Sequence, residues 1–172
     1  MEGEARRKKI IEILQREKQP VSGSEIAKRV GVSRQVVVQD IALLRTSYKN
    51  IFSTNRGYLL YEGDHNAGCV RRVVKVKHQK DDIVRELDIV VDAGGRAINV
   101  IVEHEIYGAL TGDLMIRNRA EVRNFMRRVE EYQTRPLTDL TDGVHFHTIE
   151  AENEETLDEI VRQWREAGFL LE

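Results

Sequence analysis

Ser22-Gly23-Ser24-Glu25-Ile26-Ala27-Lys28-Arg29-Val30-Gly31-Val32-Ser33-Arg34-Gln35-Val36-Val37-Val38-Gln39-Asp40-Ile41-Ala42-Leu43-Leu44 reads as two short helices around a tight turn. The first opens on a Ser-x-x-Glu capping box, in which the serine oxygen accepts from a free backbone N–H and Glu25 reaches back. Ile26, Ala27 and Val30 give it an apolar side. Gly31 breaks the pattern, and Ser33 caps the next helix. There Val37, Ile41 and Leu44 stand at i, i+4 and i+7 and face a core. Two such helices, with a small Ala27 where they cross, make a helix-turn-helix. The other face of the second helix carries Ser33, Arg34, Gln35, Val38 and Gln39 near its N-terminal end, the part that enters a major groove. Arginine bonds guanine bidentately, glutamine matches adenine, and an exposed valine suits a thymine methyl. These are candidate contacts to double-stranded operator DNA.

Outward from this motif, Ile10, Ile11 and Leu14 predict a helix over 5–17, and Pro20 prevents its continuation. On the other side, Ile51-Phe52-Ser53-Thr54 and Tyr58-Leu59-Leu60-Tyr61 read as two strands joined by the turn Asn55-Arg56-Gly57. This hairpin is a wing, with Arg56 at its tip near phosphate or minor groove. Any small helical domain shows comparable helices, so charge bears on the choice. Residues 1–62 hold 12 Lys+Arg and 7 Asp+Glu, a balance of 12 − 7 = +5; the remainder holds 15 and 22, a balance of −7. A basic front and an acidic back imply that only the front meets a polyanion.

The 172 residues allow two small domains. The single cysteine, Cys69, excludes an intramolecular disulfide and a cysteine-based metal knot, and fits a reducing, cytoplasmic setting. The N-terminus has no apolar core of a signal peptide, and no apolar run approaches the ~20 residues that span a bilayer, so no membrane partner is expected.

The polar, glycine-bearing segment 63–69 reads as a linker between a domain at 1–62 and one at 70–172. The second domain parses as strand (70–78), helix (81–91), strand (97–103), strand (107–116), helix (119–132), strand (143–149) and helix (154–167). The whole is an α+β chain: a winged helix-turn-helix followed by a ferredoxin-like βαββαβ sandwich with an added C-terminal helix. No GxGxxG and no P-loop are present, so nucleotide binding by those means has no support.

Four of five histidines fall in this second domain. His145 and His147 are two apart on a strand and leave the same face. If the first and last strands are antiparallel neighbours, His78 at the end of the first comes beside them. Glu86, on or next to the apolar face of the intervening helix, is a costly place for a carboxylate unless it is paired or bound. Three imidazoles and one carboxylate suit zinc or another first-row divalent ion with a position left for an exogenous ligand. The plainer reading is a strand-end histidine, a solvated glutamate and a polar sheet surface.

The stretch Pro136-Leu137-Thr138-Asp139-Leu140-Thr141-Asp142-Gly143-Val144-His145-Phe146-His147-Thr148-Ile149 resembles the signature of the three-histidine (3H) domain. His78 with Glu86 eight residues later, and His104-Glu105-Ile106-Tyr107-Gly108, fit the same pattern. The winged helix resembles that of biotin-repressor-type regulators. Together they resemble the nicotinate-responsive repressor family, which controls NAD-biosynthesis and niacin-uptake genes. The resemblance implies a non-enzymatic homodimer with nicotinic acid as co-repressor. It implies a divalent metal, zinc, nickel or similar, on His78, Glu86, His145 and His147, and an effector pocket near His104 and Tyr107. His65, in the linker, has no counterpart.

Three other readings compete. One is a regulator whose signal is the metal itself. Another is a metal-dependent hydrolase fused to a DNA-binding domain, with Glu103, His104 or Glu105 as general base. The last is a structural metal that staples the sheet corner.

Overall fold

A computed structural model describes residues 3–48, 50–54, 56–61 and 68–172. The chain divides into two compact units, residues 1–64 and 65–172. The boundary falls inside the expected linker 63–69, whose residues up to 67, His65 among them, are outside the described residues, as is Asn55 of the wing turn.

In the first unit, α1 (Gly3–Arg16), α2 (Gly23–Val30) and α3 (Arg34–Leu44) precede the hairpin of β1 (Ile51–Thr54) and β2 (Gly57–Leu60). Ile10, Leu14, Ile26, Val37 and Ile41 are at most 2% exposed and form its core with Val30, Leu44 and Leu60. Ser22 caps α2 by accepting from the Glu25 N–H at 3.1 Å. The reciprocal half of the capping box is replaced: the Glu25 carboxylate takes the Arg29 guanidinium at 2.8 Å. Gly31 ends α2 at φ 73°, a left-handed conformation that favours glycine. Val21 and Tyr58 exchange backbone hydrogen bonds of 2.8 Å and tie the wing to the segment just before α2. Gly57 is required at that seam, because a Cβ there would stand 2.2 Å from the Val21 carbonyl oxygen.

In the second unit, β3 (Val70–Lys77), α4 (Ile83–Asp92), β4 (Arg96–His104), β5 (Gly108–Ile116), α5 (Arg119–Glu131), β6 (Val144–Ala151) and α6 (Glu154–Glu166) follow in order. A 3₁₀ turn, Lys80–Asp82, leads into α4, and another, Leu137–Thr141, precedes β6. Asn118 and Asn153 cap α5 and α6 by accepting from backbone N–H groups three residues on. The helices pack on the sheet through Val76, Leu87, Val90, Ile149, Leu157, Ile160 and Trp164, each at most 1% exposed. Burial of side chains of this kind stabilises by about 1.5–3 kcal/mol each.

The expected α+β class and element order hold, but the sheet is not ferredoxin-like. Its order is β3-β6-β4-β5, antiparallel throughout. The first and last strands are neighbours as expected. The last strand, however, sits between the first and second, leaving β3 at an edge. A ferredoxin-like sheet has its first and third strands in the middle. Both arrangements share one order of elements along the chain, so chain order alone cannot choose between them.

Candidate DNA-recognition face and candidate metal centre

In the first unit, Ser33 caps α3 by accepting from the Val36 N–H at 3.3 Å. This fixes the helix start, so that Arg34, Gln35, Val38 and Gln39 all lie exposed while Val37 and Ile41 point inward. Val38 is 39% exposed on a face whose remaining members are polar. Arg56 is exposed in the wing turn, where its N–H donates to Thr54 Oγ1. Not all the basic charge is available to a polyanion. Arg6 and Arg7 are bound to the buried Asp40 of α3, and Arg29 pairs with Glu17 and Glu25. Arg45 was not anticipated as a positioning residue. It donates from Nε to the Ile51 carbonyl and from Nη2 to Ser53 Oγ, joining the end of α3 to the wing.

In the second unit, the register Val76↔His145 and Lys77↔Val144 sets His78 beside His145, and α4 carries Glu86 beneath them. His78, Glu86, His145 and His147 are each at most 7% exposed. The Glu86 carboxylate stands 2.9 Å from His78 Nε2 and 3.1 Å from Nε2 of both His145 and His147. Ligating atoms of His78, Glu86 and His145 lie within 4.8 Å of one another, and His147 joins this trio through Glu86. The rings of His78 and His145, and of His145 and His147, are nearly perpendicular.

The outer nitrogens determine the tautomers. His78 Nδ1 lies 2.9 Å from the Gln79 carbonyl oxygen, His145 Nδ1 2.8 Å from that of Gly143, and His147 Nδ1 2.7 Å from that of Asn99. A carbonyl only accepts, so each Nδ1 donates, and in the neutral ring each Nε2 carries a lone pair. Three lone pairs therefore face a carboxylate that also only accepts. Protons or a cation must stand between them. His78 Nε2, although close to Glu86, is out of line for an N–H···O contact and is buried without a hydrogen bond. Inward Nε2 atoms with backbone-bound Nδ1 atoms are the usual arrangement of metal-binding histidines, so the residues present fit a divalent ion.

Without an ion, the same contacts favour protons between the imidazoles and the carboxylate. Burial opposes ionisation of Glu86, but the His147 charge and the polar contacts of His145, His147 and His78 overcome it and hold the carboxyl well below its ordinary value. Burial likewise opposes charge on His78 and His147, and Glu86 nevertheless raises both. The buried Glu150 is satisfied differently, by Arg71 at 2.6 Å and Arg96 at 3.4 Å. Glu86 meets imidazoles instead.

A cavity of 220 Å³ adjoins the cluster. Glu86, His145 and His147 line its buried side; Val100, Leu114, Phe125 and Leu137 form apolar walls; Arg135 lies on the exposed side. His104 and Tyr107, which the resemblance implies near an effector, do not line it. Val100 is the β4 residue at the cavity, and His104 is four residues, about 13 Å, further along the strand. His104 Nδ1 accepts from the Ile106 N–H at 3.2 Å and its ring packs on Tyr107 at 4.9 Å, so it organises the β4–β5 turn. Tyr107 is 73% exposed.

Several orienting residues escape a sequence reading. Asn99 sits at a β-bulge, with its carbonyl on His147 and its Oδ1 accepting from the Thr148 N–H; an asparagine within the run Ala97-Ile98-Asn99-Val100-Ile101-Val102 was the available signal. Gly143, at φ 82°, supplies the carbonyl that accepts from His145 and from the His78 N–H. A Cβ there would stand 2.2 Å from the His78 carbonyl oxygen. Trp164 donates its indole N–H to the Glu86 carbonyl at 3.1 Å and so fixes α4 against α6.

A winged helix with an exposed recognition face, joined in one chain to a unit with a buried histidine–carboxylate cluster, defines a DNA-binding regulator. The 3H domain matches residues 71–172 and an HTH domain matches residues 6–59. The chain is 47% identical over 167 residues to the probable transcription repressor NiaR of Thermotoga maritima, covering 97% of this chain and 94% of that protein. It is 35% identical over 172 residues to the transcription repressor NadR of Bacillus subtilis, covering 98% and 94%. The chain belongs to the 3H-domain family of transcription repressors. Among the described residues no helix is long and apolar enough to cross a membrane.

Proposed function

We propose that this repressor controls NAD-biosynthesis and niacin-uptake genes in the cytoplasm as a homodimer. Its operator affinity is set by nicotinic acid, bound beside a divalent transition ion on His78, Glu86, His145 and His147. The observation that carries the reading is the set of three inward Nε2 atoms around one buried carboxylate, each ring locked through Nδ1 to a backbone carbonyl. The effector's identity comes from the resemblance to nicotinate-responsive repressors. A bound ion supplies a Lewis-acid position that a pyridine nitrogen or a carboxylate completes.

The adjoining cavity favours this reading over a purely structural metal, because the cluster borders space large enough for a small ring. Nicotinic acid changes DNA affinity only through its differential affinity for two arrangements of the paired recognition helices. Dimers of this motif read half-sites spaced by whole helical turns.

Calorimetric titration of nicotinic acid into the zinc- or nickel-loaded protein, repeated after chelation, tests the site; operator binding with and without nicotinate tests the response. Binding should need the metal, and nicotinate should tighten operator binding. Operator affinity that follows the metal and ignores nicotinate would replace this reading with a metal-responsive regulator.

A further inference from the structure

The cavity beside the cluster is apolar over most of its wall and carries few charged side chains: Glu86, His145 and His147 on the buried side, Asp113, and Arg135 on the exposed side. Arg135 follows α5 and precedes Pro136, whose fixed φ leads into the 3₁₀ turn Leu137–Thr141. Among the described residues, Arg135 has neither an ion pair nor a hydrogen bond, whereas many other arginines of this unit are engaged. Arg71 and Arg96 hold Glu150, Arg72 holds Glu154 and Asp158, and Arg119 holds Asp92. An uncommitted guanidinium at the rim of an apolar cavity presents a planar fork that matches a carboxylate.

Size narrows the class of ligand. At 220 Å³ the cavity is smaller than the roughly 300–1,000 Å³ of pockets that take drug-sized molecules. It suits one aromatic ring with a small substituent. Its walls suit the faces of a ring, and the imidazole–carboxylate side suits a ring nitrogen by way of the metal.

We propose that Arg135 is the specificity-determining residue of this cavity, pairing with the carboxylate of a small aromatic acid and selecting it over the neutral amide of the same ring. This rests on the reading of the cavity as the effector site. In that arrangement the carboxylate faces outward to Arg135 and the ring nitrogen faces the histidines. The guanidinium forms two parallel N–H···O bonds to the acid and cannot do so with an amide, whose NH₂ group is itself a donor.

The test is calorimetric titration of the zinc-loaded full chain and its Arg135→Gln and Arg135→Lys variants with nicotinate, nicotinamide and benzoate. The wild type should prefer nicotinate to nicotinamide. Arg135→Gln should weaken nicotinate and benzoate by about 10–100-fold, the range for a charge-assisted contact, and leave nicotinamide within about threefold. Arg135→Lys should fall between, keeping the charge and losing the fork. Arg135 is exposed, so unchanged thermal melts should accompany all of this. Nicotinate binding that Arg135→Gln leaves unaltered would overturn the role of Arg135 alone, and would turn the carboxylate toward the histidines. Equal weakening of nicotinate and nicotinamide would overturn it as well. Failure of the wild type to bind nicotinate would remove the effector reading and this inference together.

Discussion

The recognition face of α3 and the histidine cluster are built in opposite ways. Arg34, Gln35, Val38 and Gln39 are consecutive or a turn apart, exposed, and borne on one helix whose start is fixed by Ser33. His78, Glu86, His145 and His147 come from two strands and a helix, are buried, and have every outer ring nitrogen committed to a backbone carbonyl. Damage to the first should change what DNA is read while leaving the fold intact; damage to the second should disturb the fold and the candidate ion site together. A surface that meets a large partner needs reach, whereas a site for one ion needs its donors held in place before the ion arrives.

The largest effect is expected from Glu86→Gln. Removing one member of a buried charged set costs about 3–5 kcal/mol, so divalent-ion binding by calorimetry should be lost and the metal-dependent rise in Tm should vanish. Retention of the ion at wild-type affinity would show that Glu86 is not a ligand. Next is Gly143→Ala, which places a Cβ against the His78 carbonyl and displaces the support of His145. Loss of such an orienting partner lowers metal affinity by about 10–100-fold, and a wild-type metal isotherm would contradict the geometry.

On the DNA side, Arg34→Ala and Gln35→Ala should each cost about 1–3 kcal/mol of operator binding and relax base preference at one position. Tm should stay within about 0.5 kcal/mol equivalent of wild type, because both side chains are exposed. An unchanged preference in a site-selection assay would mean another face meets the bases.

The response to pH distinguishes protons from metal in the cluster. In the metal-free protein, His78 and His147 are raised above 6.5, so their stabilisation is full below that value and fades as pH rises through the folded values. Glu86 is depressed below 4.5, so its stabilisation is present above that value and lost as pH falls through the folded value. The metal-free cluster therefore contributes most between about pH 4.5 and 6.5. Metal binding needs neutral imidazoles, so the gap in unfolding free energy between loaded and chelated protein should widen from pH 6 to 8, by about 1.4 kcal/mol per pH unit for each proton displaced. A constant gap would argue against imidazole ligation. The smallest effect is expected from Arg56→Ala, which should weaken all DNA sequences alike and reduce the salt slope by about one.

Local features were legible because their causes are local. The turn at Gly31, the caps at Ser22 and Ser33 and the periodicity of Val37, Ile41 and Leu44 each depend on residues within two turns, and the helix-turn-helix follows from them. His145-x-His147 was legible for the same reason: alternate residues of a strand share a face. The supporting carbonyls of Asn99, Gly143 and Gln79, the indole of Trp164 and the cavity itself were not, since each arises from contacts across the fold. His104 and Tyr107 contrast with these. They stand together in a recognisable motif, and in space they close a turn away from the cavity.

The sequence by itself determined the two units, their helices and strands, and the chemical types of the side chains that could meet DNA or an ion. Tertiary structure alone decided that β6 lies between β3 and β4, which brings His78 beside His145 over Glu86 and leaves room for a ligand next to them. The physical reason is one of range. Helix and strand periodicities and caps act over a few neighbouring residues, while strand order and the depth of a buried carboxylate are settled by which packing of the whole unit satisfies its apolar and polar groups together.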